Sequence, residues 1–110
     1  MEIIFKSRKL KKILSKKKKL NKKFGHQNAR KIMTRMSVLK AANNLSEISH
    51  KPPERRHQLK GKRKGQFAID VKNPYRLIFK PVEPVPKKED GGIDLKRVTK
   101  IKILEIKDYH

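Results

Sequence analysis

Two histidines and an aspartate, His57, Asp108 and His110, have side chains that could supply proton transfers. Cleavage of RNA through its own 2′-hydroxyl needs a base that takes the hydroxyl proton and an acid that protonates the leaving 5′-oxygen. It also needs cations that stabilise the charge of the transition state. Lys60 and Arg76 are candidates for that last role. The sequence leaves open which histidine is the acid and which is the base.

The sequence carries a large excess of positive charge. It has 32 Lys and Arg against 10 Asp and Glu, a formal net charge of +22. Such a charge attracts polyanions, and nucleic acid, an anionic membrane surface and an acidic protein all fit this description. In the nucleic-acid interpretation, the basic turn Lys62, Arg63 and Lys64 contacts RNA phosphates, with an affinity that falls steeply as salt rises.

The absence of cysteine excludes disulfides and thiolate metal sites. The proposed chemistry needs neither a metal nor a cofactor, and we expect none. The start of the chain lacks the apolar stretch of about 7 to 15 residues that a signal peptide has. No segment approaches the roughly 18 apolar residues of a membrane span. We therefore expect a cytoplasmic protein without membrane association, and its 110 residues fit one domain, residues 1–110.

Helices are predicted in the first half of the chain. After a short β-prone run at residues 3–5, Ser7 is a candidate N-cap for a first helix. Residues 27–45 form the clearest helical pattern, with an apolar stripe that should face a sheet. The stripe consists of Ala29, Ile32, Met33, Met36, Leu39 and either Ala42 or Asn43. Basic residues of the same segment, Arg35 among them, are expected to lie off the stripe.

Strands are predicted in the second half, where the apolar pattern changes to period two. Residues 55–60, 66–71 and 75–80 fit strands joined by tight turns, which favours a meander of hairpins. Residues 98–107 form a last β-prone segment. Between them, residues 81–97 contain Pro81, Pro84 and Pro86 and are expected to form a long, flexible connection.

Four short motifs follow one another in this half of the chain. They are Arg56-His57-Gln58-Leu59-Lys60-Gly61, Gly65-Gln66-Phe67-Ala68-Ile69, Asn73-Pro74-Tyr75-Arg76-Leu77-Ile78-Phe79 and Asp108-Tyr109-His110. In this order they resemble the motifs of HigB-type toxins of the RelE/ParE superfamily. That family's series reads approximately His-x-Leu-Lys-Gly, Gly-x-Trp-x-Ile, Trp/Tyr-Arg-Ile-x-Phe and a closing Asp-Tyr-His. Each motif alone is weak, but four in the correct order are considerably more specific.

The resemblance implies an α+β fold in which two N-terminal helices pack on a twisted, mainly antiparallel sheet, the RelE-like microbial ribonuclease fold. It implies a toxin of a toxin-antitoxin system that cleaves translated mRNA as a ribosome-dependent endoribonuclease. The implied partners are mRNA, the ribosome and a cognate helix-turn-helix, HigA-like antitoxin that forms a hetero-oligomer with the toxin. The positions that match the family's catalytic set are His57, Asp108, Tyr109 and His110.

Three features depart from the family pattern or qualify it. Phe67 and Tyr75 stand where tryptophans are common, and residues 81–97 replace an expected tight hairpin. Alternation along an extended terminal strand would place Asp108 and His110 on one side and Tyr109 on the other. Tyr109 then either stacks on a base of the substrate or is a partly buried edge residue.

Two other functions compete with the nuclease. A ParE-like toxin would share the fold and inhibit a topoisomerase without cleaving RNA, but such toxins generally lack the histidine set found here. A non-enzymatic basic RNA-binding protein would need only the charge. That alternative leaves the order and spacing of the strand motifs unexplained.

Overall fold

The structure is a computed structural model that describes residues 1–108. Within these residues the chain forms three helices and a five-stranded sheet. The elements in chain order are β1 (Glu2–Phe5), α1 (Arg8–Ser15), α2 (Lys17–Phe24), α3 (His26–Ala41), β2 (His57–Gln58), β3 (Phe67–Asp70), β4 (Tyr75–Pro81) and β5 (Lys100–Asp108). None of the described helices has the length and apolar character that crossing a bilayer requires.

The sheet has the strand order β1-β5-β4-β3-β2. Strands β2 to β5 pair antiparallel with their neighbours in chain order, as the predicted meander requires. Strand β1 pairs in parallel with β5, which puts the last strand between the first and the fourth. A register shift interrupts the β4–β5 ladder between Ile78 and Phe79. The predicted α+β fold with a mainly antiparallel sheet is confirmed.

Helix α1 is the first predicted helix, and a separate helix, α2, follows it, so that three helices stand where two were expected. Helix α1 begins as expected, because the Ser7 side chain accepts a hydrogen bond of 3.1 Å from the Leu10 amide. It stops at Lys16, whose extended backbone separates α1 from α2. Leu14 and Leu20 are both buried, but in one continuous helix residues six positions apart would point about 120° away from each other. Restarting the helix lets both leucines reach the core.

Helix α3 follows the predicted stripe with two exceptions. Ala29, Ile32 and Leu39 are fully buried, but Met33 is 39% exposed and the prediction that it faces the sheet is wrong. Arg35, expected off the stripe, is only 6% exposed. Its Nε donates to the Asp70 carbonyl at 2.7 Å, and Nη2 donates to the Val71 carbonyl at 3.5 Å. Arg35 therefore ties the middle of α3 to the end of β3.

We expect Arg35→Met to lower the free energy of unfolding by about 1–3 kcal/mol, because the two carbonyls at the end of β3 lose their donor. Urea denaturation followed by circular dichroism measures this change. Arg30→Met is the matched control, since Arg30 is exposed on the same helix. Its change should stay within about 0.5 kcal/mol. Equal stability of the two variants would contradict the role assigned to Arg35.

One face of the sheet packs against the helices, and we call it the helix face. Phe67 and Phe79 stack there with ring centroids 5.9 Å apart. The cluster that joins helices and sheet comprises Leu14, Leu20, Ala29, Ile32, Leu39, Phe67, Ile69, Leu77, Phe79, Ile101 and Ile103, with further residues of the loops. We call the opposite side the open face. Alternation leaves Ala68 and Ile78 there, outside this cluster, and both are nevertheless fully buried.

The connection from β4 to β5 contains a small hairpin. Lys87 and Ile93 form an isolated antiparallel bridge, and the Lys88 amide donates to the Gly92 carbonyl at 2.7 Å. Ile93 and Leu95 pack against the core. The flexibility expected of residues 81–97 from their prolines stays a prediction.

Candidate active site on the open face of the sheet

Rows of side chains cross the open face, because residues paired in neighbouring strands project on the same side. One row consists of His57, Ala68, Ile78 and Glu105. The row on one side of it consists of Asp70, Arg76 and Lys107, and the row on the other side contains Lys80 and Lys102. The open face therefore has an apolar floor of Ala68 and Ile78 with cations on both sides.

A groove of about 370 Å³ lies at the Lys80 end of this face. Its lining residues are Lys6, Arg63, Gln66, Lys80, Lys102, Leu104 and Glu105. Glu105 is bound by Arg63, whose Nη2 donates to its Oε2 at 2.8 Å. Lysines thus outnumber carboxylates in the groove, which suits it to a phosphodiester backbone.

His57 lies on the edge strand β2, opposite Ala68, and is half-buried. Its Nδ1 is 2.9 Å from the carbonyl oxygen of Arg55. A carbonyl only accepts, so this contact assigns the proton of the neutral ring to Nδ1. Nε2 then carries the lone pair, and it is the ring nitrogen that can accept a proton.

Asp70 lies at the centre of an ion-pair network on the same face. Arg55 binds it through two hydrogen bonds, Nε to Oδ2 at 2.6 Å and Nη2 to Oδ1 at 3.0 Å. Arg76 approaches from β4, with its Nε 3.3 Å from Oδ1. The hydrogen bond to Asp70 raises the pKa of the Arg55 guanidinium, with burial acting in the opposite direction. One carboxylate therefore holds two guanidinium groups.

The segment that leads into His57 is held by the backbone as well. The Arg56 amide donates to the Ser49 carbonyl at 2.9 Å, and Arg56 Nε donates to the Ile48 carbonyl at 2.8 Å. Burial lowers the pKa of the Arg56 guanidinium. Arg55 has a positive φ of 48°, so the predicted strand 55–60 is interrupted and only His57–Gln58 pair with β3.

The structure places the predicted basic residues in two environments. Arg76 lies on the open face, in the row next to His57. Lys60 is exposed and extended, and alternation puts it on the other side of the chain from His57. There it lines a depression of about 330 Å³ together with Lys64. Lys62 and Lys64 are exposed, whereas Arg63 is engaged with Gln66 and Glu105.

Asp108 is placed apart from His57. It pairs with Tyr75, whose ring packs edge-on against Phe24 of α2 at 5.4 Å, so alternation puts Asp108 toward the helix face. Two strands separate β5 from β2, which amounts to about 14 Å across the sheet. The structure thus brings His57 and Arg76 to one face and does not place Asp108 with them. Tyr109 and His110 lie outside the described residues.

Sequence reasoning missed Arg55 and Asp70. A signal for Asp70 exists, since it is the one acidic residue between Glu54 and Glu83, a stretch with nine Lys and Arg. A single carboxylate among so many cations is expected to pair with some of them. The positive φ of Arg55, in contrast, has no sequence signal, because neither glycine nor asparagine marks the position.

Charge is distributed unevenly between the two layers of the molecule. Residues 3–46, which contain all three helices and β1 without its first residue, Glu2, have 15 Lys and Arg and no Asp or Glu. We call these residues the cationic helix layer. The rest of the sequence has 17 Lys and Arg against 10 Asp and Glu. The ion pairs found within residues 1–108 all lie outside this layer.

Metal-ligating side chains do not cluster in the part of the chain that the structure describes. No group of three or more His, Asp or Glu residues within 1–108 is arranged to hold a metal ion.

Sequence comparison assigns the chain to a family. The HigB-like toxin family, described as the RelE-like toxin HigB of type II toxin-antitoxin systems, matches residues 3–87. This range includes the helices, His57 and Arg76, and it ends before β5. No curated protein matches the chain.

Solved structures share the fold over the whole chain at low sequence identity. A YoeB/ParE toxin from Agrobacterium tumefaciens has 9% identity and a TM-score of 0.59, with all of both chains covered. A YoeB-YefM complex from Staphylococcus aureus has 14% identity and a TM-score of 0.57. A heterotetrameric YoeB-YefM toxin-antitoxin complex from the same organism has 14% identity and a TM-score of 0.54. Both Staphylococcus matches cover all of this chain and 97% of the other.

The family match covers well over half of the 110 residues, and the YoeB-type structures have the same arrangement of helices on a sheet. We conclude that this chain belongs to the HigB-like family of RelE-like toxins of type II toxin-antitoxin systems.

Proposed function

We propose that this protein is a ribosome-dependent endoribonuclease that cleaves mRNA during translation. The observation that carries the proposal is the placement of His57, with Nδ1 bound to a backbone carbonyl, on the same open face as Arg76. An imidazole that can exchange a proton and a guanidinium that can bind a phosphate are the two groups this reaction most needs.

In the proposed reaction a base removes the proton of the 2′-hydroxyl, and O2′ attacks the adjacent phosphorus. The P–O5′ bond breaks, and an acid protonates the leaving 5′-oxygen. The products are a 2′,3′-cyclic phosphate and a 5′-hydroxyl. One of His57 and His110 takes the proton and the other supplies it, while Arg76 stabilises the charge on the phosphoryl oxygens. Asp108, Tyr109 and Lys60 belong to the proposed site by family resemblance, and no metal takes part.

The charge distribution supports contact with ribosomal RNA. If the message lies in the groove of the open face, the cationic helix layer and the turn of Lys62 and Lys64 can contact other phosphates. Ribosomal RNA supplies such phosphates on several sides of a bound protein. We therefore propose that the message binds the open face while the helix layer and the turn contact the ribosome, in the cytoplasm.

A cognate antitoxin is the second proposed partner. The YoeB-YefM complexes are toxin-antitoxin assemblies, and the family match places this chain among type II toxins. By family resemblance the antitoxin is a HigA-like helix-turn-helix protein in a hetero-oligomer with the toxin. An acidic segment of the antitoxin would complement the net charge of +22.

The test is translation of a defined mRNA in a purified system, with cut sites mapped by primer extension. The proposal requires cuts that appear only when ribosomes are present, and that His57→Ala and His110→Ala each abolish. Intact message together with impaired DNA supercoiling would favour the ParE-like alternative. Ribosome binding without either effect would favour a non-enzymatic RNA-binding protein.

Replacing Lys16, Lys17, Lys18 and Lys19 with glutamine should weaken ribosome binding and reduce its salt dependence. Each lost phosphate contact lowers the slope of log affinity against log salt by about 0.7 to 0.9, or about 3 for four contacts. Binding titrations at several salt concentrations measure the slope.

The matched control removes Lys87, Lys88, Lys96 and Arg97, which have Glu83, Glu89, Asp90 and Asp94 in the same segment. These carboxylates already offset the control cations, so the slope should change less. A control that reduces the slope as much as the helix variant would contradict the role of the helix layer.

A further inference from the structure

If the open face bound RNA by positive charge alone, the negative charge of Asp70 would weaken that binding. A carboxylate repels phosphate, and its removal would strengthen a purely electrostatic surface. The side chains of Asp70, Arg55 and Arg76 nevertheless form a compact network, with each oxygen of Asp70 within 3.3 Å of a guanidinium nitrogen. These contacts suit Asp70 to holding the two guanidinium groups in place.

A continuous set of contacts leads from Asp70 to the imidazole of His57. Asp70 holds the Arg55 side chain in a two-point hydrogen bond, and the Arg55 carbonyl contacts His57 Nδ1 at 2.9 Å. Between these two contacts the Arg55 backbone has a φ of 48°, a left-handed conformation that residues with a β-carbon rarely adopt. Such a conformation persists where the surroundings hold it. Here the Arg55 amide donates to the Lys51 carbonyl at 2.9 Å, and Asp70 binds the Arg55 side chain.

The position of Asp70 itself is fixed from the other layer. Arg35 of α3 donates to the Asp70 carbonyl at 2.7 Å, and the Asp70 amide donates to the Glu54 carbonyl at 2.7 Å. Asp70 therefore connects the helix layer, the segment before β2 and Arg76 on β4. These contacts leave its carboxylate few alternative positions.

We propose that Asp70 is a positioning residue that acts through Arg55. It holds the Arg55 carbonyl where it binds His57 Nδ1, and this keeps the His57 ring in one tautomer and one orientation. It also directs the Arg76 guanidinium along the open face. The catalytic consequence rests on the proposed RNA cleavage, whereas the effect on the His57 ring does not.

The first test is nuclear magnetic resonance of the free protein. Long-range ¹H–¹⁵N spectra report the tautomer of each histidine ring, and His57→Gln identifies the His57 signals. The wild type should show His57 with the proton on Nδ1. In Asp70→Asn and in Arg55→Lys, which lacks the guanidinium fork, the ring should populate both tautomers. Dispersed amide spectra establish that each variant is folded, and Arg55→Lys tests the proposal if Asp70→Asn fails to fold.

Glu89→Gln is the matched control, because it removes one carboxylate from the exposed hairpin between β4 and β5. It should leave the His57 tautomer and the cleavage rate at wild-type values. Asp70→Asn should lower the single-turnover cleavage rate by about 10- to 100-fold, since the reacting groups lose alignment. Ribosome affinity should change by no more than about twofold.

The outcomes separate this proposal from the proposed function. An unchanged His57 tautomer in both Asp70→Asn and Arg55→Lys would overturn the positioning role, whatever the enzyme does. A cleavage rate of Asp70→Asn equal to that of Glu89→Gln would overturn its catalytic consequence. If the wild type cleaves no RNA, the nuclease proposal fails, and the tautomer measurement still decides whether Asp70 positions His57.

Discussion

Replacing His57 with alanine is expected to lower the single-turnover rate of mRNA cleavage on the ribosome by about 10²- to 10⁴-fold, the range typical of general acid–base catalysis. The imidazole of His57 lies at the edge of the open face and can exchange a proton. Because Nδ1 contacts the Arg55 carbonyl, Nε2 is the ring nitrogen that does so. Rapid mixing of toxin with programmed ribosomes, followed by quantification of cut message, measures the rate.

The control for this variant is His50→Ala. His50 is exposed in the segment that precedes β2, so the control removes an imidazole from the same region and leaves the open face intact. His50→Ala should cleave at the wild-type rate, and both variants should bind ribosomes with unchanged affinity. Wild-type cleavage by His57→Ala would remove His57 from the site and with it the main support for the nuclease.

Replacing Arg76 with alanine should reduce the cleavage rate by about 10²- to 10³-fold, the loss seen when one donor to a charged transition state is removed. Arg76 lies in the row next to His57, and Asp70 restrains its guanidinium from one side. The loss should appear mainly in the rate at which bound message is cleaved and less in the affinity for the message, because the negative charge on the phosphoryl oxygens grows in the transition state.

Two further variants sharpen the Arg76 experiment. Arg76→Lys keeps the charge but loses the planar fork, so it should recover part of the lost rate. Arg97→Ala removes an exposed arginine from the turn before β5 and should cleave as the wild type does. If Arg76→Ala weakens binding and leaves the rate of bound message unchanged, Arg76 is a binding residue and has no part in the chemistry.

Much of the fold follows from patterns that the sequence makes visible. The alternation of apolar residues predicted β3 and β4 to within one residue at each end, because both strands bury one face against the helices. The stripe on α3 predicted Ala29, Ile32 and Leu39 as core. Ser7 predicted the start of α1, because its side chain satisfies an amide that the helix cannot.

The sequence predicted less where tertiary contacts outweigh local preference. Arg35 is buried because two carbonyls at the end of β3 accept its hydrogen bonds, and nothing near Arg35 in sequence indicates them. Helix α3 ends at Ala41, four residues before the predicted end at Leu45, since Leu45 is needed in the core from a separate turn. The break at Lys16 did have a signal in the spacing of Leu14 and Leu20.

The candidate site was predicted mainly from the family motifs and only partly from the chemistry and spacing of its residues. The ordered motifs select His57 and Arg76, and the pairing of β2, β3 and β4 brings them to one face. The ion-pair network of Asp70 depends on contacts between residues 15 positions apart and on an unusual backbone angle at Arg55, which no periodic pattern encodes. The roles proposed for Asp108, Tyr109 and His110 stay predictions.

The position of β5 has a consequence for synthesis of the protein. Residues 100–108 form β5, which lies between β1 and β4. In a nascent chain that still lacks these residues, β1 and one edge of β4 have no strand to pair with. The first strand therefore gains its neighbour only after residues 100–108 have been synthesised. The five-stranded sheet is therefore completed only after these residues have left the exit tunnel, and a nascent chain without them cannot connect β1 to β4.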